Sequence, residues 1–373
     1  MDLLVLSEVR WGYFRTRKQF LLSRFPEPWR VFFAQPPAAG ADDPWTPRTE
    51  GRVTYFTVPF LKPATLNPVY NGVMRLAPAR ALIDRLAGAY LARQLARLGV
   101  DPVPAVLCSN IYTAGLLSRL RKKLVLYDFN DSPFQFAGVP RWARGYWKRT
   151  LDQVDLLFVV SEHYRRELSR ETEKPLVLLP NGVEYAHFAT PRALPADLAA
   201  LPRPRIGYVG LLSHFLDFDA LEAIRRERRG GTLVLIGPGT PATEPALAAL
   251  AARGGVARLG PRPYADVPAY MQGLDVGLIP FRADDPHVQG IHPNKVYQYL
   301  AAGVPVVTTP ILDLAEGGTD LQFVSGAAGM AAAVGRALVA PGDAEARRAL
   351  ACGHDWDALA SLMVGEIERR LAA

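Results

Sequence analysis

Cysteine is scarce: Cys108 and Cys352 are the two in 373 residues. That is too few for a disulfide framework, and they stand in no metal-ligand spacing. The small disulfide-stapled secreted class is excluded, and a reducing compartment is expected. Long apolar runs are missing as well, since no window approaches the roughly 18 residues that a membrane span needs. The opening MDLLVLSEVRW lacks a basic leading segment, so it reads as a first strand and not as a signal peptide. GPGT (237–240) hints at a dinucleotide fingerprint, but the third glycine and the downstream acid are absent, which argues against a dehydrogenase. Repeats and low-complexity segments are also lacking. The expectation is a soluble, cytoplasmic protein.

Acidic residues are thin in one part of the chain. Residues 51–150 hold 15 basic against 4 acidic side chains, while the whole protein carries a net +7. A surface of that kind suits nucleic acid, anionic lipid or a phosphorylated substrate, or is simply a solvated basic face. The remaining composition is globular, with 49% hydrophobic residues.

Short apolar runs alternate with helical patterns. LLVLS (3–7), RVFFAQ (30–35), RVTYFTV (52–58), PAVLCS (104–109), LVLYDF (124–129), DLLFVVS (155–161) and LVLLP (176–180) read as strands. The alternation breaks at prolines 191, 195, 202 and 204, then resumes with RIGYVG (205–210), TLVLIG (232–237), VARLG (256–260), DVGLIPF (275–281) and VPVVTT (304–309). Strands alternating with helices predict parallel sheets covered on both faces. The predicted fold is therefore α/β with two doubly wound, Rossmann-like domains: 1–190, a Pro-rich linker over 191–204, and 205–373. Trp356, Leu359, Leu362, Met363, Ile367 and Leu371 have the spacing of an amphipathic closing helix.

In such sheets ligands bind beyond the carboxyl ends of the strands. Gly210 follows RIGYV, ahead of Ser213, and a glycine there lets backbone N–H groups approach a phosphate, though a tight turn needs one too. The loop RADDPHVQGIHPNK (282–295) feeds a helix that opens His292-Pro-Asn-Lys295. Cations are unfavourable at a helix N-terminus unless an anion lies between them. A phosphate held by Lys295 and the free N–H groups resolves the conflict, with Arg282, His292 and Asn294 in the same loop. Gln298 is one turn on, able to reach a ribose hydroxyl. After LVLYDF, Asp128, Asn130 and Asp131 lie at a strand end. A carboxylate there accepts a proton from an acceptor hydroxyl if the reaction inverts the anomer, orients the acceptor if it retains it, or merely caps the next turn. The segment 136–149 interleaves Phe136, Trp142, Tyr146 and Trp147 with Arg141, Arg144, Lys148 and Arg149. It suits an anionic membrane surface, or plain helix packing.

PNKVYQYLAAGVPVVTT, LDVGLIPF, LGPRPYADVPAYM, VDLLFVVSEHYRREL and LLPNGVEYAHF resemble the signatures of family-4-type GT-B glycosyltransferases and stand in the order those enzymes show. The resemblance leans to the bacterial branch that assembles capsular, exopolysaccharide or teichuronic-acid-type polymers. It implies an interdomain cleft, with a nucleotide sugar on the C-terminal domain and the acceptor on the N-terminal one. It also implies transfer with retention, a UDP- or GDP-linked donor, no separate cofactor or metal, and no nucleic acid partner. Carried over, the family's ribose-binding glutamate falls on Gln298, and its partner glutamate falls on Gly290. The lysine that usually follows the glycine loop is missing from Leu211–Phe215, which throws the diphosphate onto Lys295. Arg262 and Tyr264 fall where the nucleobase is seated, and Gly12 where backbone comes close to donor or acceptor. The expected activity is sugar transfer to a hydroxyl of a lipid-linked or growing polysaccharide, on the cytoplasmic side and peripheral to the membrane. Two rivals share this architecture: a nucleotide-sugar 2-epimerase and a non-catalytic nucleotide-sugar-binding partner of another transferase.

Overall fold

The computed structural model describes residues 1–12, 15–38, 43–62, 67–135, 139–227, 230–311 and 321–373. The chain divides into two compact units, Met1–Pro180 with Asp357–Ala373, and Asn181–Trp356. The division falls earlier than the Pro-rich segment, and the last helix goes with the first unit.

In the first unit the described strands are β1 (Asp2–Leu6), β2 (Arg30–Gln35), β3 (Arg48–Glu50), β4 (Val53–Thr57), β5 (Val103–Cys108), β6 (Lys122–Phe129), β7 (Leu156–Val159) and β8 (Leu176–Leu178). They form one sheet in the order β3-β4-β2-β1-β5-β6-β7-β8. All pairs are parallel except β3 with β4. Seven of these strands are apolar and were legible as such. β3, Arg-Thr-Glu, is fully exposed and has no apolar periodicity to announce it. The strand order reverses between β1 and β5, so the loops after these two strands open the crevice of this sheet.

The second unit contains β9 (Arg205–Val209), β10 (Thr232–Ile236), β11 (Val256–Gly260), β12 (Val276–Ile279), β13 (Val306–Thr308) and β14 (Leu321–Phe323). Their order is β11-β10-β9-β12-β13-β14, all parallel. β14, three residues long, is the strand the sequence does not announce. Here the reversal lies between β9 and β12. The glycine after β9 and the loop after β12 therefore meet at the switch point.

The Pro-rich segment is not a free tether. Leu198 is buried in the second unit's core, Thr232 Oγ1 donates to Pro202 O (2.9 Å), and the Arg205 guanidinium caps the carbonyls of Ala199 and Leu201. The final helix, Trp356–Ala372, buries Leu359, Met363, Val364 and Ile367 but leaves Leu362 exposed. Trp29 Nε1 donates to Glu368 (2.9 Å) and Arg24 Nε to Asp357 (2.6 Å), which fixes it to the first unit.

Candidate active site

At the second unit's switch point the backbone is held open by glycine. Gly210, at φ +146°, hydrogen-bonds through its N–H to Ile236 O (2.8 Å). A Cβ at this position would collide with Lys295 Cε and lie 2.8 Å from Nζ. A Cβ on neighbouring Gly237, at φ +136°, would strike the Gly210 carbonyl oxygen. Both positions thus demand glycine for conformation and for space.

Lys295 stands in the first turn of the helix Asn294–Ala301. Its ammonium lies 5.7 Å from the centre of the Tyr208 ring, within cation–π range. Among the described residues it has no hydrogen-bond or ion-pair partner. Burial pushes its pKa below the usual lysine value. Rigid contacts hold it there. Tyr299, one turn along the helix, donates from its hydroxyl to Gly207 O (3.1 Å) and accepts from Val209 N (2.9 Å), which pins the helix to β9. Thr309 Oγ1 bonds Ile279 O, Phe281 O and Phe281 N and so fixes the chain leaving β12. Leu216 pairs with Phe281, and Arg282 N donates to Phe215 O (2.8 Å), which joins the loops after β9 and β12. Beside them opens a groove of about 690 Å³ lined by His214, Asp217, Thr243, Arg282 and Asp284. An unpartnered cation, glycine backbone and the N–H groups of a helix's first turn are together the chemistry that can take a phosphate or diphosphate.

The other predicted residues divide into two groups. The side chains of Asn294, Gln298 and Ser213 make no hydrogen bond among the described residues, so their polar groups remain available. The rest are committed within the fold. His292 is buried, stacks on Tyr297 (5.4 Å), and its carbonyl accepts from Asn181 Nδ2 (2.7 Å). Arg262 donates to Asp197 (2.6 Å) and to the Tyr270 hydroxyl (2.8 Å). Tyr264 donates to Glu184 (2.8 Å) and stacks on His187 (4.9 Å). Arg282 is exposed and pairs with Asp284 at 3.2 Å.

The first unit carries a polar cluster at its own switch point. Asp128, at the end of β6, is buried and accepts both 3.0 and 3.1 Å bonds from Arg17 Nε, while Arg17 Nη1 donates to Pro180 O (2.8 Å). A carboxylate so engaged orients its surroundings; it is not a free proton acceptor. Asp131 accepts from Asn130 Nδ2 (2.6 Å). Glu8, just past β1, accepts from Lys18 (2.7 Å) and from Ser109 Oγ (2.6 Å). Burial raises the Glu8 pKa, but the Lys18 charge and the two hydrogen bonds outweigh it and hold the carboxyl below its usual range. Burial likewise lowers Lys18, and the carboxylates of Glu8, Asp128 and Asp131 reverse that and raise it. Glu8, Arg17 and Lys18 were missed by sequence reasoning. Glu8 had the strand-end signal, whereas Arg17 and Lys18 looked like ordinary basic residues of a surface helix. A Cβ at Gly12 would meet nothing within 4 Å, so the fold itself does not require glycine there.

Of the two readings of the aromatic-basic segment, the rings follow plain helix packing. Phe136 lies outside the described residues, and the aromatics that follow face inward. Tyr146 and Trp147 are buried, bonded through Tyr146 Oη to Asp84 and Trp147 Nε1 to Glu171. Trp142 Nε1 donates to Asn71 (3.1 Å). Amphipathic packing claimed the rings, because each found both an apolar neighbour and a hydrogen-bond acceptor within the unit. Arg141, Arg144, Lys148 and Arg149 remain exposed.

Residues 203–346 match the family model described as "Glycosyl transferases group 1". That match lies within the second unit, and the two parallel-sheet α/β units have the GT-B fold. The chain is 26% identical over 230 residues to Bacillus subtilis (strain 168) TuaH, whose name assigns it to teichuronic acid biosynthesis as a glycosyltransferase. That match covers 57% of this chain and 56% of TuaH, so it spans about half the length of this relative. Among solved structures, the chain is similar to the E. coli trehalose-6-phosphate protein bound with UDP-2-fluoro glucose. That likeness has TM-score 0.73 and 15% identity, over 98% of this chain and 99% of that one. It is also similar to the sucrose-phosphate synthase of Thermosynechococcus elongatus, with TM-score 0.71, 16% identity, and 99% and 98% covered. Anabaena HepE in complex with UDP and glucose matches with TM-score 0.62 and 16% identity, over 100% of this chain and 98% of that one.

Proposed function

We propose that this chain is a glycosyltransferase that moves a sugar from a nucleoside diphosphate sugar to a hydroxyl of a lipid-linked or growing polysaccharide acceptor, in cell-surface polysaccharide synthesis. The observation that carries the reading is the unpartnered Lys295 ammonium seated against Gly210 at the switch point. Charge builds on the diphosphate as the glycosidic bond breaks, and a fixed ammonium with helix N–H groups stabilises that charge without reorganising. Gln298, one turn along, bonds the ribose diol through its amide, without the charge assistance a glutamate would add. Ser213 and Asn294 supply further donors to the phosphates. Arg282 with Asp284 borders the neighbouring groove.

Transfer with retention is our reading of the stereochemistry, supported by the similarity to trehalose-6-phosphate synthase, whose structure was described in a study of glycosyltransfer with retention. Under that reading Asp128 and Asp131 orient the acceptor. The reaction needs no metal because Lys295 and the helix supply the counter-charge. A UDP-linked donor is favoured by the UDP complexes of HepE and of the E. coli protein. The test is calorimetric titration of the full chain with UDP, GDP and their hexose conjugates, followed by incubation with donor alone. Binding of one nucleotide class without a changed sugar supports the transferase. An epimerised product from donor alone would replace it with the epimerase reading. Failure of all of these nucleotides to bind would remove the proposal.

A further inference from the structure

The first unit exposes an apolar face that its core does not claim. The short helix Pro68–Val73 buries no residue at all. It presents Val69 (76% exposed) and Val73 (49%) at i and i+4. The helix Ala77–Arg97 follows, with Leu76 (62%) just before it and Leu82 (56%) and Leu86 (51%) one turn apart on one side. Five large aliphatic side chains at such exposure lie on consecutive helices, and exposed apolar groups of this kind mark interaction sites.

The charge around the patch identifies its partner. Residues 60–97 contain Lys62, Arg75, Arg80, Arg85, Arg93 and Arg97 against one acid, Asp84. Asp84 is buried and engaged by the Tyr146 hydroxyl (3.1 Å), with Arg149 at 3.8 Å. No exposed acidic residue in that stretch opposes the cations. The helix Ala143–Gln153 packs through that Asp84 contact on the buried side of Ala77–Arg97, whereas Arg93 and Arg97 continue the exposed stripe of Leu82 and Leu86 at helical spacing. Exposed valines and leucines among arginines match a bilayer of anionic lipid, where aliphatic groups enter the acyl boundary and guanidinium groups meet phosphates. A protein partner would be expected to supply acids to specific arginines; a second copy of this face would set like charges against each other.

We infer that the helices Pro68–Val73 and Ala77–Arg97 are a membrane-docking surface for anionic lipid. This deepens the proposed function, resting on it for the lipid-linked acceptor, and it relocates contact from the aromatic residues of 136–149 to these helices. The aromatics there serve instead to anchor the helix Ala143–Gln153 within the unit.

The experiment is co-sedimentation of the full chain with phosphatidylcholine vesicles, with and without phosphatidylglycerol, at low and high salt. The expected result is retention only on the anionic vesicles, weakened by salt. Leu82→Glu with Leu86→Glu should cut partition by about tenfold, and Arg85→Glu by roughly fivefold. Both sites are exposed, so folding is retained, and circular dichroism checks it. Equal retention by the leucine variant overturns the proposal, as does equal retention on neutral vesicles. Loss of self-association in light scattering by that variant, without any vesicle binding, assigns the patch to a second copy and overturns it as well. UDP titration of the same variants tests the transferase reading separately: intact nucleotide binding with no vesicle binding would sink only the docking surface.

Discussion

Lys295→Met is the most informative perturbation, because the structure assigns it opposite effects on stability and on binding. The ammonium has no anionic partner among the described residues, and burial depresses its pKa. The folded protein therefore bears the cost of a poorly solvated charge, on the order of 1 kcal/mol. Replacing it with methionine of similar length relieves that cost and should raise Tm by roughly 2–4 °C for a domain of this size. The same change removes the charge-assisted bonds to a bound diphosphate, about 1.5–3 kcal/mol. Nucleotide Kd should then rise ~10- to 150-fold. A pH series sharpens the test. A lysine with depressed pKa binds fewer protons folded than unfolded, so its destabilising contribution is full below the folded pKa and fades as pH rises through it. A diphosphate raises that pKa again, so binding takes up a proton at alkaline pH and affinity falls there. Differential scanning fluorimetry and calorimetry in two buffers of different ionisation enthalpy measure all three effects. Unchanged Kd would refute the assignment; a fall in Tm would show the side chain to be a structural strut instead of an unpaid cation.

Gly210→Ala should lose both stability and nucleotide binding, since its φ of +146° is strained for alanine and the new methyl displaces Lys295. A cost of about 1–3 kcal/mol is expected from denaturant unfolding, and normal UDP affinity would contradict the close approach. Arg17→Met leaves Asp128 buried and uncompensated in the first unit. It should cost about 3–5 kcal/mol, most of it recovered when Asp128→Asn is added. Matching losses in the single and double variants would show that the pair is not coupled. Glu8 has a lowered pKa, so its contribution is present above the ordinary carboxyl value of 4.5 and lost as pH falls through the folded value. Thermal scans should show Glu8→Gln narrowing the gap to the wild type below that pH. Parallel curves for the two proteins would exclude the pairing with Lys18 as its cause.

The strands were legible because buried parallel strands are written as unbroken β-branched and leucine runs, and their alternation with helices fixes a doubly wound sheet almost without reference to context. β3 and β14 escaped for the converse reason, being short edge segments whose residues carry no periodic signal. The division of the chain at Pro180 was also illegible, since prolines mark a break in regular structure but do not say which core will take the apolar residues between them, and Leu198 went to the second.

Local chemistry alone drew attention to Lys295 and Gly210, which the fold brings into contact, because a cation in a helix's first turn is a visible electrostatic conflict. What the sequence could not say is which polar groups remain free once the chain has folded. Arg262, Tyr264 and His292 looked as available as Lys295; Arg262 and Tyr264 found partners far away in sequence, Asp197 and Glu184, and the His292 ring was buried against Tyr297. The rings of Tyr146 and Trp147 turned inward for the same reason, since Asp84 and Glu171 were there to accept their hydrogen bonds. Periodicity and propensity act over a few residues and are written in the chain, whereas satisfaction of a donor depends on what the fold brings within 3 Å. The sequence by itself therefore determined the architecture and the lysine, and tertiary packing decided which side chains were left to meet a ligand.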